Sequence, residues 1–393
     1  MNIGIYVASI SNQAGGGHTF QETILQSLGK NSSKHEYYIF HYGVKRKSPV
    51  ANIHFVSLKS PQYFLFFIYW RVIKNIYFLF FKKLFITKYN SLCQAVVANR
   101  IDIVWFLTNS FEYVEVPFVF TVWDLQHRLQ PFFPEVSIEG WNWQFRENYY
   151  RSILPRATFV ITGNDAGKKE IMQFYGVDEH RIKIVPHPTP NFVLGSSLIA
   201  EKPRFAIPKH FVLYPAQYWP HKNHVMLVEA MKVLREKYSI DVSLICTGSD
   251  KGNKSFIEGK IIEAGLDKSI FLKGFVKTEE LVYLYKHALA LVYPTFFGPE
   301  NLPPLEAFAL GCPVIASDVP GAKEQFGDAA IRMDAVREDQ WAHTIFSLFK
   351  NMNIRKKLIQ RGRKRALRWT SDHFVQKMNT IFDEFSIYRR TWK

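Results

Sequence analysis

The chain has 393 residues, 47% of them hydrophobic and 16% aromatic, with 50 Lys and Arg against 34 Asp and Glu for a formal charge of +16. This length exceeds what one hydrophobic core usually organises and this composition excludes a disordered polar chain, so two folded domains of comparable size are expected. The charge favours polyanionic partners, while Cys93, Cys246 and Cys312, far apart and inside apolar runs, exclude a disulfide framework or a cysteine metal site and fit a reducing cytoplasm.

Short apolar strands alternate with turns and helices, the grammar of parallel sheets with crossover helices. In the first block the predicted strands are 2–9, 37–42, 53–58, 101–107, 118–123, 158–162 and 182–185. The first strand starts at once, without the basic and apolar segments of a secretory leader. Gly15, Gly16, Gly17 and His18 follow it and open an amphipathic helix to about Leu28; such a cluster is either a tight turn or a ligand loop. Residues 63–85 are nearly long enough to span a bilayer, but Arg71 and Lys74 interrupt them near the middle. Residues 63–88 read better as an aromatic, basic helix in the interface of an anionic membrane, with a buried core helix and snorkelling lysines as the alternative. Asp124 and His127 stand at a strand end, where polar groups of a cleft collect; the other reading of His127 is a satisfied structural histidine.

Pro188, Pro190, Gly195, Ser196, Ser197, Pro203 and Pro208 give 187–208 the composition of a linker. The first domain is therefore placed at 1–190 and the second at 205–375. In the second block the predicted strands are 211–215, 243–247, 270–273, 288–293 and 313–316, and the predicted helices begin near Asn223, Lys254, Thr278 and Pro304. Thr278 followed by Glu279 and Glu280 places a capping hydroxyl and two acids at a positive helix end. The segment from about Asp372 to Lys393 reads as a final helix.

The densest chemistry lies in Gly298-Pro299-Glu300-Asn301-Leu302-Pro303-Pro304-Leu305-Glu306-Ala307, a turn-rich loop leading into a helix after a parallel strand. Prolines are accepted in a first helical turn, whose free amides and aligned dipoles suit a diphosphate. Glu306 either accepts hydrogen bonds from two ribose hydroxyls or merely complements the helix dipole. This stretch resembles the donor signature of glycosyltransferase family 4, in which a first Glu is followed eight residues later by a second in "PPLEA". Glu306 matches the second; Gly298 stands at the first, with Glu300 two positions on. The segment 212–223 resembles the family loop whose Arg and Lys bind the diphosphate: Lys222 matches the Lys, and Gln217, which carries no charge, holds the Arg position. Gly274, Phe275 and Val276 are similar to the segment whose backbone meets the nucleotide base. Gly15–His18 resembles the family's first glycine-rich loop, and Trp123 to His127 its "HDLxH" region, with His127 in the last position.

The resemblance implies an α/β protein of the GT-B fold, two doubly wound Rossmann-like domains facing across a cleft. The first would bind the acceptor, with a helix at about 376–393 packing back on it, and the second the nucleotide-sugar donor. It implies a retaining transferase moving a hexose, mannose-like as a first guess, from a GDP- or UDP-linked donor to a saccharide or lipid-linked saccharide in polysaccharide or O-antigen-type synthesis. The implied site residues are Lys222, Glu306 and His127 as catalytic groups. Gln217, Gly274, Phe275, Val276, Gly298, Asn301, Leu302, Pro303 and Glu306 fall on the donor side, and Gly15, Gly16, Gly17, His18, Asp124 and His127 on the acceptor side. No Asp-x-Asp pair occurs in the chain, so neither a metal nor a cofactor is expected. A cytoplasmic protein is expected, peripheral on the inner face of the plasma membrane through 63–88. A nucleic-acid-binding protein, prompted by the charge, lacks any recognised module and is not expected. A catalytically silent scaffold is the second reading, prompted by Gly298 and Gln217.

Overall fold

A computed structural model describes residues 1–7, 15–30, 33–43, 50–59, 90–137, 143–195 and 199–392. The segment 63–88 lies outside the described residues, and among those described no helix is long and apolar enough to cross a membrane.

The first domain runs β1 (Asn2–Val7), α1 (Gly16–Leu28), β2 (Glu36–Tyr42), β3 (Ile53–Leu58), α2 (Ser91–Ala98), β4 (Ile103–Phe106), β5 (Phe118–Thr121), α3 (Trp143–Ile153), β6 (Phe159–Thr162), α4 (Asp165–Tyr175) and β7 (Ile182–Ile184). Its seven strands are ordered β3-β2-β1-β4-β5-β6-β7 and every pairing is parallel. Side chains alternate across such a sheet, so Ile3, Ile5 and Trp105 face one core while Tyr6, Val104 and Phe106 face another.

The second domain runs β8 (Phe211–Pro215), α5 (His224–Tyr238), β9 (Ser243–Thr247), α6 (Lys254–Glu263), β10 (Ile270–Lys273), α7 (Thr278–His287), β11 (Ala290–Tyr293), α8 (Leu302–Leu310), β12 (Val314–Ser317), β13 (Ala330–Met333), α9 (Glu338–Lys350), α10 (Met352–Arg368) and α11 (Ser371–Arg389). Its sheet order is β10-β9-β8-β11-β12-β13, again parallel throughout. The fold class is thus α/β with two Rossmann-like sheets, as expected. β13 was not anticipated: four residues at a sheet edge, one of them Arg332, give no apolar run to recognise.

The last helix, α11, returns to the first domain. Phe374 lies edge-on to Phe20 of α1 at 5.5 Å and stacks on Trp105 of β4 at 6.2 Å, closing that core. The chain crosses between domains twice, and the crossings are bonded side by side. The Thr189 N–H donates to Trp369 O, the Thr189 hydroxyl to Ala366 O, and the Trp369 indole to Pro186 O.

Candidate functional site

Loops at the carboxyl ends of the two sheets meet in a cleft, the position at which open α/β sheets hold ligands. On one flank Asn164 Nδ2 donates to Pro299 O at 2.8 Å. On the other, Gln130 Nε2 donates to Phe296 O at 2.9 Å, and Glu135, in the short helix Pro134–Ser137, accepts from the backbone N–H and ring Nδ1 of His221.

The helix of the signature starts at Leu302, two residues earlier than expected, because Pro303 and Pro304 need no amide partner in a first turn. Glu306 is therefore its fifth residue, one turn past the dipole end, so dipole complementation does not account for it. The prolines also narrow the expected amide cradle. They bring no N–H, and the Asn301 N–H is bonded to Gln325 Oε1, so of the first-turn donors the Leu302 amide remains, together with the axial dipole.

Glu306 is buried, and Tyr285 of α7 donates to its Oε2 at 2.8 Å. Burial pushes its carboxyl up to about 7, against the pull of that hydrogen bond. Its other oxygen is the one available to a ligand hydroxyl. Lys222 ends a single 3-10 turn, Pro220–Lys222, fixed by Asn223, whose left-handed backbone and bonds to Pro294 O and Ala335 O anchor the loop. Lys222 Nζ lies 3.4 Å from the Tyr293 hydroxyl, which in turn donates to Asn301 Oδ1. Burial pushes the Lys222 ammonium down to about 8, while Asp124 and Glu135 across the cleft oppose the shift.

Gln217 does not reach out as an arginine would. Its amide oxygen accepts from the Trp219 indole and its nitrogen donates to Ser249 Oγ. Gly274 holds the Gly248 N–H through its carbonyl, Val276 packs on the core, and Phe275 stands 55% exposed at the end of β10. At Gly298 the loop closes on itself, with Asn301 Nδ2 donating to Gly298 O at 2.8 Å.

On the first domain, Gly15 caps α1 with φ +71°, and a Cβ at Gly16 would lie 3.6 Å from Leu302 Cδ1. The first turns of α1, carrying Gly17 and His18, and of α8 thus lie side by side at the cleft, which brings two positive helix ends near each other. Asp124 pairs with Arg146 at 2.8 Å and accepts the Gln126 N–H; burial opposes the charge, yet Arg146 holds the carboxyl below its ordinary range. His127 is not among these groups. It is fully buried, bonded to Glu147 and Tyr175 and stacked on Tyr150, and burial pushes it down to about 4. His127 thus lies behind the cleft wall, its Nε2 bonded and its Nδ1 buried without a hydrogen-bond partner among the described residues, while Asp124 is the member of that loop that faces Lys222. Tyr285, Tyr293, Glu135, Arg146 and His221 carry no role in the sequence reading, although Tyr285 and His221 lie inside segments that resemble the family's and Tyr293 ends the strand feeding the signature; Glu135 and Arg146 have no local signal. Among the described residues no three His, Cys, Asp or Glu side chains are grouped to hold a metal ion.

Residues 198–365 match the family model described as Glycosyl transferases group 1. The chain is 26% identical to the O-antigen chain mannosyltransferase RfbU of Salmonella typhimurium over 66% of its own length and 68% of that protein's. It is 27% identical to the O-antigen chain mannosyltransferase B of Escherichia coli, over 57% of this chain and 60% of the relative. The fold is also that of Anabaena HepE in complex with UDP and glucose, with a TM-score of 0.65 at 14% identity, covering 98% of this chain and 100% of that one.

Proposed function

We propose, from the premise that this chain is a glycosyltransferase of the GT-B fold, that it moves a mannose-like hexose from a GDP- or UDP-linked donor, with retention and without a metal, to a saccharide or lipid-linked saccharide in O-antigen-type synthesis. The observation that carries this reading is the meeting of Lys222 and two helix N-termini beside Glu306. Glu306 receives the ribose hydroxyls, and the backbone around Gly274 to Val276 meets the base. Lys222, the Leu302 amide and the two dipoles stabilise the diphosphate as the bond from anomeric carbon to phosphate oxygen breaks. The acceptor hydroxyl attacks the oxocarbenium-like sugar from the face the diphosphate leaves, and its proton passes to the departing phosphate oxygen. The family 4 signature and the absence of an Asp-x-Asp pair support retention and metal independence, and the mannosyltransferase relatives support the sugar. Residues 63–88 would bring the enzyme to an anionic membrane face bearing the acceptor.

The test is thermal stabilisation across GDP, UDP, dTDP and ADP, then turnover of the matching sugars with and without chelator. One nucleotide raises the melting temperature, and Glu306→Ala and Lys222→Ala each abolish the rise. No shift with any of the four at millimolar concentration sinks the donor site. The silent-scaffold reading, favoured by Gly298 and Gln217, predicts a shift without turnover; slow release of nucleoside diphosphate from the matched donor excludes it.

A further inference from the structure

Glu300 stands between Pro299 and the capping residue of α8, yet its side chain leaves the second domain. It enters a slot in the first domain lined by Phe20, Thr121, Trp123, Thr162, Gly163 and His187, where 6% of the side chain remains exposed. The His187 N–H donates to Glu300 Oε1 at 2.8 Å. A Cβ on Gly163 would fall inside the Glu300 carboxyl group. Gly163 has no left-handed backbone to explain the glycine, so the missing side chain serves as room for Glu300. Beside the slot, Asn164 holds Pro299 O and the Asp165 N–H donates to Glu324.

We propose that Glu300 is a positioning residue that keys the donor loop into the first domain: its carboxyl group, seated between His187 and Gly163, holds the N-terminus of α8 against that of α1. The inference rests on the reading of that helix end as the donor site. Asn301 follows Glu300 directly, so a displaced carboxyl moves the helix cap itself. The slot lies where α1, the ends of β5 and β6, the first crossing and Phe374 of α11 converge, so the seat also fixes the relation of the two domains.

None of the residues lining the slot is Lys or Arg. The titratable groups facing it are His187, with Nδ1 3.8 Å from Glu300 Oε2, and Glu324 of the short helix Ala322–Phe326, which also accepts the backbone N–H of Asp165 at the start of α4. Burial pushes Glu300 up to about 8 and His187 down to about 4, so both are neutral at pH 7. Seating takes up a proton. It is therefore most favourable below the ordinary carboxylate range and weakens as pH rises to about 8. Glutamine has the shape of the seated acid and no such dependence.

The test compares full-length wild type, Glu300→Ala, Glu300→Gln and Gly163→Ala by small-angle scattering and by separate donor KM and kcat. Glu300→Ala and Gly163→Ala expand at pH 7, and their kcat/KM for the donor falls about tenfold, carried mainly by KM, as for one lost buried hydrogen bond. Glu300→Gln recovers both compactness and KM, and stays compact at pH 9, where the wild type expands. Should Gly163→Ala fail to fold, the Gly163→Ala/Glu300→Ala double variant, free of the collision, takes its place and is expanded. Wild-type compactness and KM in Glu300→Ala, or one shared pH response in wild type and Glu300→Gln, overturns the proposal. Scattering needs no donor, so a wild type that expands with pH but binds no nucleoside diphosphate defeats the donor-site reading and leaves the seat intact.

Discussion

At Gly298 the backbone φ is +135°, and a Cβ would come within 2.6 Å of Asn301 Oδ1. The loop is closed by an internal clasp, in which Asn301 bonds both Gly298 O and the Tyr293 hydroxyl. Gly298→Glu should therefore not restore the signature. It strains the backbone, expels Asn301 and lowers stability by about 1–3 kcal/mol, read as a denaturant midpoint shift without any gain in turnover. Glu306 gives a second expectation at this scale. If Glu306 receives ribose hydroxyls as proposed, its ionised form is the stronger acceptor, so nucleoside diphosphate affinity, measured by calorimetry, tightens as pH rises through about 7. Tyr285→Phe removes the hydrogen bond that lowers this value and moves the midpoint upward. An unmoved midpoint would make Tyr285 a packing residue only. The sequence located Gly298 and Glu306 by spacing, but the partners that decide their behaviour come from elsewhere in the chain. His127 shows the same limit, because Glu147 and Tyr175 lie 20 and 48 residues away and nothing in the local pattern announces that they enclose it.

Among the elements, α8 and α11 contrast in how they could be read. The start of α8 was two residues off because three positions tolerate proline at a helix N-terminus and local sequence does not say which two are used. α11 was legible as a helix, whereas its seat on the first sheet depends on rings of α1 and β4 more than 250 residues upstream. Phe374 is buried against both Phe20 and Trp105. Phe374→Ala should destabilise the protein by about 3–5 kcal/mol, checked by equilibrium denaturation. A loss below 1 kcal/mol would mean that α11 rests on the first domain without completing its core.

For the molecule as a whole, buried titratable groups of two kinds oppose each other. Burial holds His127 and His187 near 4 and His224 near 3, so the stability they contribute is lost as pH falls through about 6.5 and below. Glu300 and Glu306 have raised values, and their contribution is lost as pH rises towards about 8 and 7. With Glu170 also raised to about 7, the ligand-free melting temperature should be highest at mildly acidic pH and fall on either side, and the Glu300→Gln/Glu306→Gln double variant should make the fall on the alkaline side shallower. An unchanged alkaline slope would remove both carboxyls from the account. Two parallel sheets were legible because every strand but the edge strand β13 contains a short apolar run. Their approach through Glu300 and Glu135 was not, since Glu300 and His187 are 113 positions apart, and Glu135 and His221 86. The return of α11 also bears on how the protein is made. Residues of the first domain leave the ribosome before any of the second, but Phe20 and Trp105 gain their last cover only when Ser371–Arg389 emerges. The domain synthesised first is therefore finished last, and during translation its open face must wait for the whole second domain, the interval in which a chaperone would hold it.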